Sequence, residues 1–254
     1  MDMAFDLQGH VALITGGNGG IGLGMARALA AAGADVAIWG RSEEKNRAAA
    51  SELESLGVRA IALVCDVSDE QDVERSFART VEVLGKVDSC FANAGVAAQA
   101  GPFTEQTRDD WRRVLGVNLE GAFLTLRAAT RHMVARGEGG SLVGVSSMGS
   151  VQGMPQAQVY AASKAGLTAT MNGLAVELAR HRVRANTILP GFVLTDMTPA
   201  FRTERYEQRV LPRIPQRRWG EPRDFGGIAV YLASGASAYH TGGTFLIDGG
   251  YSRY

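Results

Sequence analysis

Thr15-Gly16-Gly17-Asn18-Gly19-Gly20-Ile21-Gly22 decides the fold, because of what stands on either side of it. Before it, Val11 to Thr15 is a short apolar run with strand character. After it, Ile21 to Ala32 has helical spacing until Gly33 stops it. Val36 to Trp39 then reads as a second strand. A strand, a glycine turn, a helix and a returning strand form a unit whose right-handed crossover makes the two strands parallel. At such a turn the backbone amides and the positive end of the helix dipole face outward, which suits a dinucleotide pyrophosphate. The spacing Gly16, Gly20, Gly22 differs from G-x-G-x-x-G, so the strand-turn-helix setting carries the reading and the glycines alone do not.

Working outward, the same phrase recurs. Ser42 is placed to cap a helix with Glu43 and Glu44 in its first turn and Gly57 at its close. Ala60 to Val64 is a third strand, and Ser68 with Gln71 predicts a capping box opening a helix that runs to Leu84, where Gly85 ends it. Val87 to Ala92, Leu142 to Val145, Arg184 to Leu189 and Thr244 to Ile247 complete the strands. Asp109 to about Val134 reads as one or two long helices, and Val159 to Ala179 and Glu221 to Ala233 as helices. The expected fold is α/β: one doubly wound, parallel, seven-stranded sheet flanked by helices, of Rossmann type, in a single domain over 1–254. From about 192 to 219, Arg202, Arg205, Arg209, Arg213, Arg217 and Arg218 stand in a stretch without apolar periodicity, expected to be a partly helical substrate lid.

Composition agrees with one large core. A chain of 254 residues buries enough surface to need neither disulfide nor metal. The 26 Lys and Arg balance 26 Asp and Glu, which argues against a nucleic-acid partner. Cys65 and Cys90 lie in apolar runs, as buried thiols in a reducing compartment would. No secretory leader pattern opens the chain and no 18-residue apolar run follows, so a cytoplasmic protein without a membrane partner is expected. His10, His132, His181 and His240 show no ligand spacing, so no metal is expected.

Two local patterns bear on chemistry. The second strand ends Ile38-Trp39-Gly40-Arg41, with no acid at its tip. A carboxylate there grips the ribose 2′-hydroxyl of NAD, whereas an arginine accommodates a 2′-phosphate, so Arg41 predicts NADP(H) as the preferred cofactor, with NAD as the alternative. A competing reading pairs Arg41 with Glu43 or Glu44 on the surface. Further on, Tyr160-Ala161-Ala162-Ser163-Lys164 puts Tyr160 and Lys164 one turn apart on one helix face. A phenol of pKa near ~10 is a poor base at neutral pH, and a neighbouring ammonium lowers that value.

Taken in order, these pieces resemble the short-chain dehydrogenase/reductase family across nearly the whole chain. They are Thr15 to Gly22, Asp66-Val67, Asn93-Ala94-Gly95, Asn118, Ser146-Ser147, Tyr160 with Lys164, and Pro190-Gly191 through Thr195. One departure is Ala92, where the family often has Asn. The resemblance implies that Tyr160 is the acid/base and that Lys164 holds the nicotinamide ribose and lowers the tyrosine pKa. It implies that Asn118 supports a water chain to Lys164 and that Ser147, thirteen residues before the tyrosine, orients the carbonyl, leaving Ser146 as a structural hydroxyl. The implied cofactor contacts are Gly16, Asn18, Gly19, Gly20, Ile21, Gly22 and Arg41; Asp66 and Val67 at the adenine; Asn93, Ala94 and Gly95 at its ribose; and Pro190, Gly191, Val193 and Thr195 near the nicotinamide, together with Tyr160 and Lys164. The activity implied is interconversion of a small-molecule ketone and a secondary alcohol by hydride transfer, in a homotetramer. Family members act on 3-oxoacyl thioesters, sugars, polyols, steroids and small ketones. An NAD-linked sugar, polyol or secondary-alcohol dehydrogenase stays open beside the NADP(H) reading, and so, more remotely, does a non-enzymatic cofactor sensor or scaffold.

Overall fold

A computed structural model describes residues 4–97 and 101–253. The strands are β1 (Val11–Thr15), β2 (Asp35–Gly40), β3 (Ala60–Val64), β4 (Ser89–Ala92), β5 (Gly140–Val145), β6 (Val183–Pro190) and β7 (Thr244–Ile247). They form one sheet in the order β3-β2-β1-β4-β5-β6-β7, and every neighbouring pair is parallel. The helices are α1 (Gly20–Ala31), α2 (Glu43–Glu54), α3 (Glu70–Leu84), α4 (Arg108–Leu115), α5 (Gly121–Arg136), α6 (Gln158–Glu177), α7 (Glu204–Arg209) and α8 (Gly226–Ala233). Successive side chains of a strand point to opposite faces, so both faces of a sheet covered by helices must be apolar. Leu13, Trp39, Cys90, Leu142 and Ala185 face one core with α3, α5 and α6, while Ala12, Ile14, Ile38, Phe91, Val143 and Ile188 face the other with α1 and α8. The seven-stranded parallel sheet is thus as the sequence predicts. No helix among the described residues is long and apolar enough to cross a membrane.

Several boundaries differ from expectation. The capping box at Ser68 and Gln71 does not form: Asp69 caps α3, accepting from the Asp72 amide at 2.9 Å, while Ser68 Oγ donates to Asp66 Oδ1 at 2.6 Å. A carboxylate two residues upstream captures the serine before the helix can use it. Strand β4 starts two residues late because the Val87 amide donates to His132 Nε2 at 3.2 Å, outside the ladder. The stretch 109–134, expected as one or two helices, is two, joined by an unexpected π-helical turn, Gly116–Glu120. From Glu221 onward, a 3₁₀ turn at Pro222–Phe225 precedes α8, as proline at the first position allows.

The stretch 192–219 is partly helical. A 3₁₀ turn (Pro199–Arg202), α7 and another 3₁₀ turn (Leu211–Arg213) follow one another, and Val193 bridges to Gly220 at the base. Phe192 packs edge-on against Trp219 at 6.1 Å and Tyr251 at 4.9 Å, which ties that base to the chain end. Three of its arginines have structural work: Arg218 binds Asp224 with two hydrogen bonds, Arg213 lies 4.8 Å over the Tyr251 ring, and Arg217 donates to Pro212 O.

At the foot of the sheet, opposite the glycine turn, His10 Nε2 meets Ser89 Oγ at 3.0 Å and Nδ1 lies 4.0 Å from Asp88. Burial outweighs that carboxylate and pulls His10 down to about 4. A histidine with a depressed folded-state pKa contributes stability present above its ordinary value of 6.5 and lost as pH falls through about 4. Urea unfolding should therefore show up to about 3 kcal/mol lost through this residue between those two pH values. His10→Gln should flatten that part of the profile, and an unchanged profile would remove His10 as its cause.

Candidate active site

The strand order reverses between β1 and β4, and the crevice at their carboxyl ends is where open α/β sheets bind ligands. The glycine turn after β1 and Asn93-Ala94-Gly95 after β4 form its walls. Thr15 stitches them together: its Oγ1 accepts from the amides of Asn93 and Ala94, both at 3.0 Å. Asn93 Nδ2 returns a bond to Thr15 O at 2.9 Å. Inside the turn Gly16 has φ +63°, and a Cβ on Gly22 would collide with Gly16 O and Asn93 Nδ2, whereas one on Gly19 would meet only open space. The turn is therefore closed against the sheet and open outward, a fit for a pyrophosphate on the α1 N-terminus. Gly20 faces Thr195, whose Cγ2 would lie 3.3 Å from an added Cβ. Across the crevice, Thr198 Oγ1 donates to Val193 O at 2.6 Å and accepts from the Thr195 amide at 3.0 Å, shaping the segment that follows Pro190 and Gly191.

At the adenine end, Asp66 Oδ1 accepts from the Ser68 amide and hydroxyl, and those bonds hold its carboxyl below the usual range. Val67 is buried, with Gly121 at the start of α5 packed on it. Arg41 is exposed and pairs with neither Glu43 nor Glu44 among the described residues; Glu43 pairs with Arg47 at 3.2 Å. Lys45 reaches from α2 to Asp196, beyond Thr195, at 2.7 Å.

The second half of the site rests on α6. Ser163 Oγ donates to Tyr160 O at 2.7 Å, and Lys164 is 4% exposed with Nζ donating to Val145 O at 2.8 Å. Ser146 Oγ donates to Lys164 O at 2.8 Å, and Thr168 Oγ1 donates to Ser146 Oγ at 3.0 Å, so Ser146 fixes the helix from beneath, as expected of a structural hydroxyl. Ser147 Oγ accepts from the Gly149 amide at 3.0 Å and lies near enough to the Tyr160 phenol to lower its pKa. Ser147, Tyr160 and Lys164 are thus brought together. Lys164 Nζ lies 5.9 Å from the centroid of the Tyr160 ring. Its own proton is loosened by burial, to about 8. The phenol, by contrast, is raised by burial, with the Ser147 hydroxyl pulling the other way. Lys164 is not among the groups that shift the phenol, so the acidifying effect expected of it is not seen here.

Asn118 is fully buried in the π-helical turn. Its Oδ1 accepts from the Val96 amide at 2.7 Å, and its Nδ2 donates to Val96 O at 3.0 Å and Ser163 Oγ at 3.2 Å. A Cβ on Gly95 would stand 3.2 Å from Asn118 Oδ1 and 3.5 Å from Lys164 Nζ, so glycine lets this backbone pass close to both. Asn118 therefore joins the β4 turn to α6. Single π-turns inside helices often mark functional sites. Sequence reading missed that turn, the Thr15 stitch and the Lys45–Asp196 pair; Gly116 and Gly121 bracketing a polar Asn118 were the available signal for the first. No cluster of three or more metal-binding side chains occurs among the described residues.

The profile of a family described as enoyl-(acyl carrier protein) reductase matches residues 16–252. An L-rhamnose 1-dehydrogenase (NAD(P)(+)) of Sphingomonas sp. (strain SKA58) is 38% identical over 246 residues, covering 96% of each chain. A short-chain type dehydrogenase/reductase from Mycobacterium marinum has a crystal structure that superposes with TM-score 0.93 at 36% identity, covering 98% of both chains. The crystal structure of a gluconate 5-dehydrogenase from Burkholderia cenocepacia J2315, in complex with NADP and tartrate, gives TM-score 0.93 at 34% identity, covering 99% of this chain and 98% of that one. The chain belongs to the short-chain dehydrogenase/reductase family.

Proposed function

We propose that this NAD(P)-dependent oxidoreductase prefers NADP(H) and interconverts a keto-sugar and the corresponding secondary alcohol, with Tyr160 as acid/base. The observation that carries the reading is the joined set of Ser147, Tyr160 and Lys164 beside the crevice at the carboxyl ends of β1 and β4. The glycine turn, Arg41, Asp66-Val67, Asn93 to Gly95 and Pro190 to Thr195 would hold the cofactor, which would supply or accept the hydride. As a carbonyl is reduced, charge grows on its oxygen, and the Ser147 and Tyr160 hydroxyls donate to it there. Tyr160 Oη then gives its proton to complete the alcohol, and takes it back in the oxidative direction. Lys164 would hold the nicotinamide ribose hydroxyls, and its charge would stabilise the phenolate left behind. Asn118, locked to Val96 and Ser163, holds the site in register and supports proton supply to Lys164.

A sugar is favoured over an acyl thioester or steroid because rhamnose and gluconate dehydrogenases are among the relatives named above. Half of the lid arginines already serve packing or ion pairs, which weakens the case for a strongly anionic substrate. Two free, buried thiols, Cys65 and Cys90, are in keeping with a reducing, cytoplasmic location. Exposed Phe123 on α5 and Val176 on α6 support assembly as a homotetramer through the long helices. Following NADPH consumption with keto-sugars, 3-oxoacyl thioesters and steroid ketones tests the substrate class. Turnover is expected with a keto-sugar, and turnover confined to a thioester would overturn that choice.

A further inference from the structure

We propose that Asn46 is a positioning residue that fixes the amide of Asn18, and that Asn18 so held reads the 2′-phosphate of NADP(H) beside Arg41. The inference rests on the cofactor preference proposed above. Asn46 lies in the second turn of α2, after the Ser42 cap, and is 3% exposed. Its Nδ2 donates to Gly40 O, at the tip of β2, and to Leu63 O in β3, both at 2.9 Å. Backbone carbonyls only accept, so the amino side of Asn46 must face them and its Oδ1 must face the other way.

That oxygen meets the glycine turn. Asn18 Nδ2 stands 2.7 Å from Asn46 Oδ1. An acceptor at that point demands a donor, so the orientation of the Asn18 amide follows from two carbonyls that belong to a different part of the sheet. An amide nitrogen carries two hydrogens, and only one is spent on Asn46. Asn18 Nδ2 also sits directly over the end of β2, since a Cβ on Gly40 would collide with it and come within 2.7 Å of Asn46 Oδ1. A carboxylate at position 40, the kind that grips the 2′-hydroxyl of NAD, would therefore have to displace the Asn18 amide. What the corner presents instead is the second amide hydrogen of Asn18 and the guanidinium of Arg41, both donors and both suited to an anion. Without Asn46, Asn18 is free to turn its carbonyl oxygen to the same corner, where it would repel a phosphate and accept from a hydroxyl.

Equilibrium binding of NADPH and NADH, read by cofactor fluorescence without turnover, tests this. Asn46→Leu keeps similar volume and removes all three hydrogen bonds; it should weaken NADPH at least about tenfold and leave NADH within about threefold. Asn18→Ala, at a partly exposed position, removes the amide without adding a charge beside the pyrophosphate and should weaken NADPH more than NADH even if the buried substitution prevents folding. Equal shifts for the two cofactors, or none, in the variants that fold would overturn the proposal while leaving the NADP(H) preference standing. A wild-type protein that binds NADH as tightly as NADPH would overturn both.

Discussion

Tyr160→Phe is expected to lower kcat by roughly 10²- to 10⁴-fold, the span that a positioned acid/base contributes, while NADPH affinity stays near the wild-type value. The phenyl ring keeps the packing of the phenol, and Ser163 still donates to the residue 160 carbonyl, so the loss isolates the hydroxyl. Ser147 and Lys164 remain in place and account for whatever residual rate survives. Steady-state rates with a keto-sugar, together with fluorescence titration of NADPH, separate the two effects. Wild-type turnover in this variant would remove Tyr160 from the chemistry.

Arg41→Ala should weaken NADPH by about ten- to a hundredfold, since a hydrogen bond to a charged group contributes roughly 1.5–3 kcal/mol, and should change NADH little. Arg41 is exposed at the β2 tip and forms no ion pair with Glu43 or Glu44 among the described residues, though it lies close enough to Asp66 to help hold that carboxyl down, so its guanidinium can still reach a ligand. The same titrations carry the check. Equal losses for the two cofactors would mean that Arg41 shapes the corner without reading the phosphate.

Much of the fold was legible because its signals are local. Apolar runs placed all seven strands within two residues of where they stand, and Gly33 and Gly85 both adopt positive φ at or just beyond the ends of α1 and α3. The spacing of Tyr160 and Lys164 put both on α6 beside Ser147, since i, i+4 neighbours share a helix face. What escaped depends on pieces distant in sequence. Asn46 owes its role to Gly40, Leu63 and Asn18, and Thr15 owes its role to Asn93 and Ala94. Asp69 displaced Ser68 as a cap because a nearby carboxylate took the serine. The raised phenol of Tyr160 reflects burial, which spacing alone does not report.

Mass spectrometry of the alcohol formed from a keto-sugar and NADPH doubly deuterated at C4 tests the central claim most directly. One deuterium should appear on the new carbinol carbon with the wild-type protein, at a rate that collapses in Tyr160→Phe. Product without deuterium, or deuterium incorporated at equal rates by both proteins, would contradict hydride transfer assisted by Tyr160.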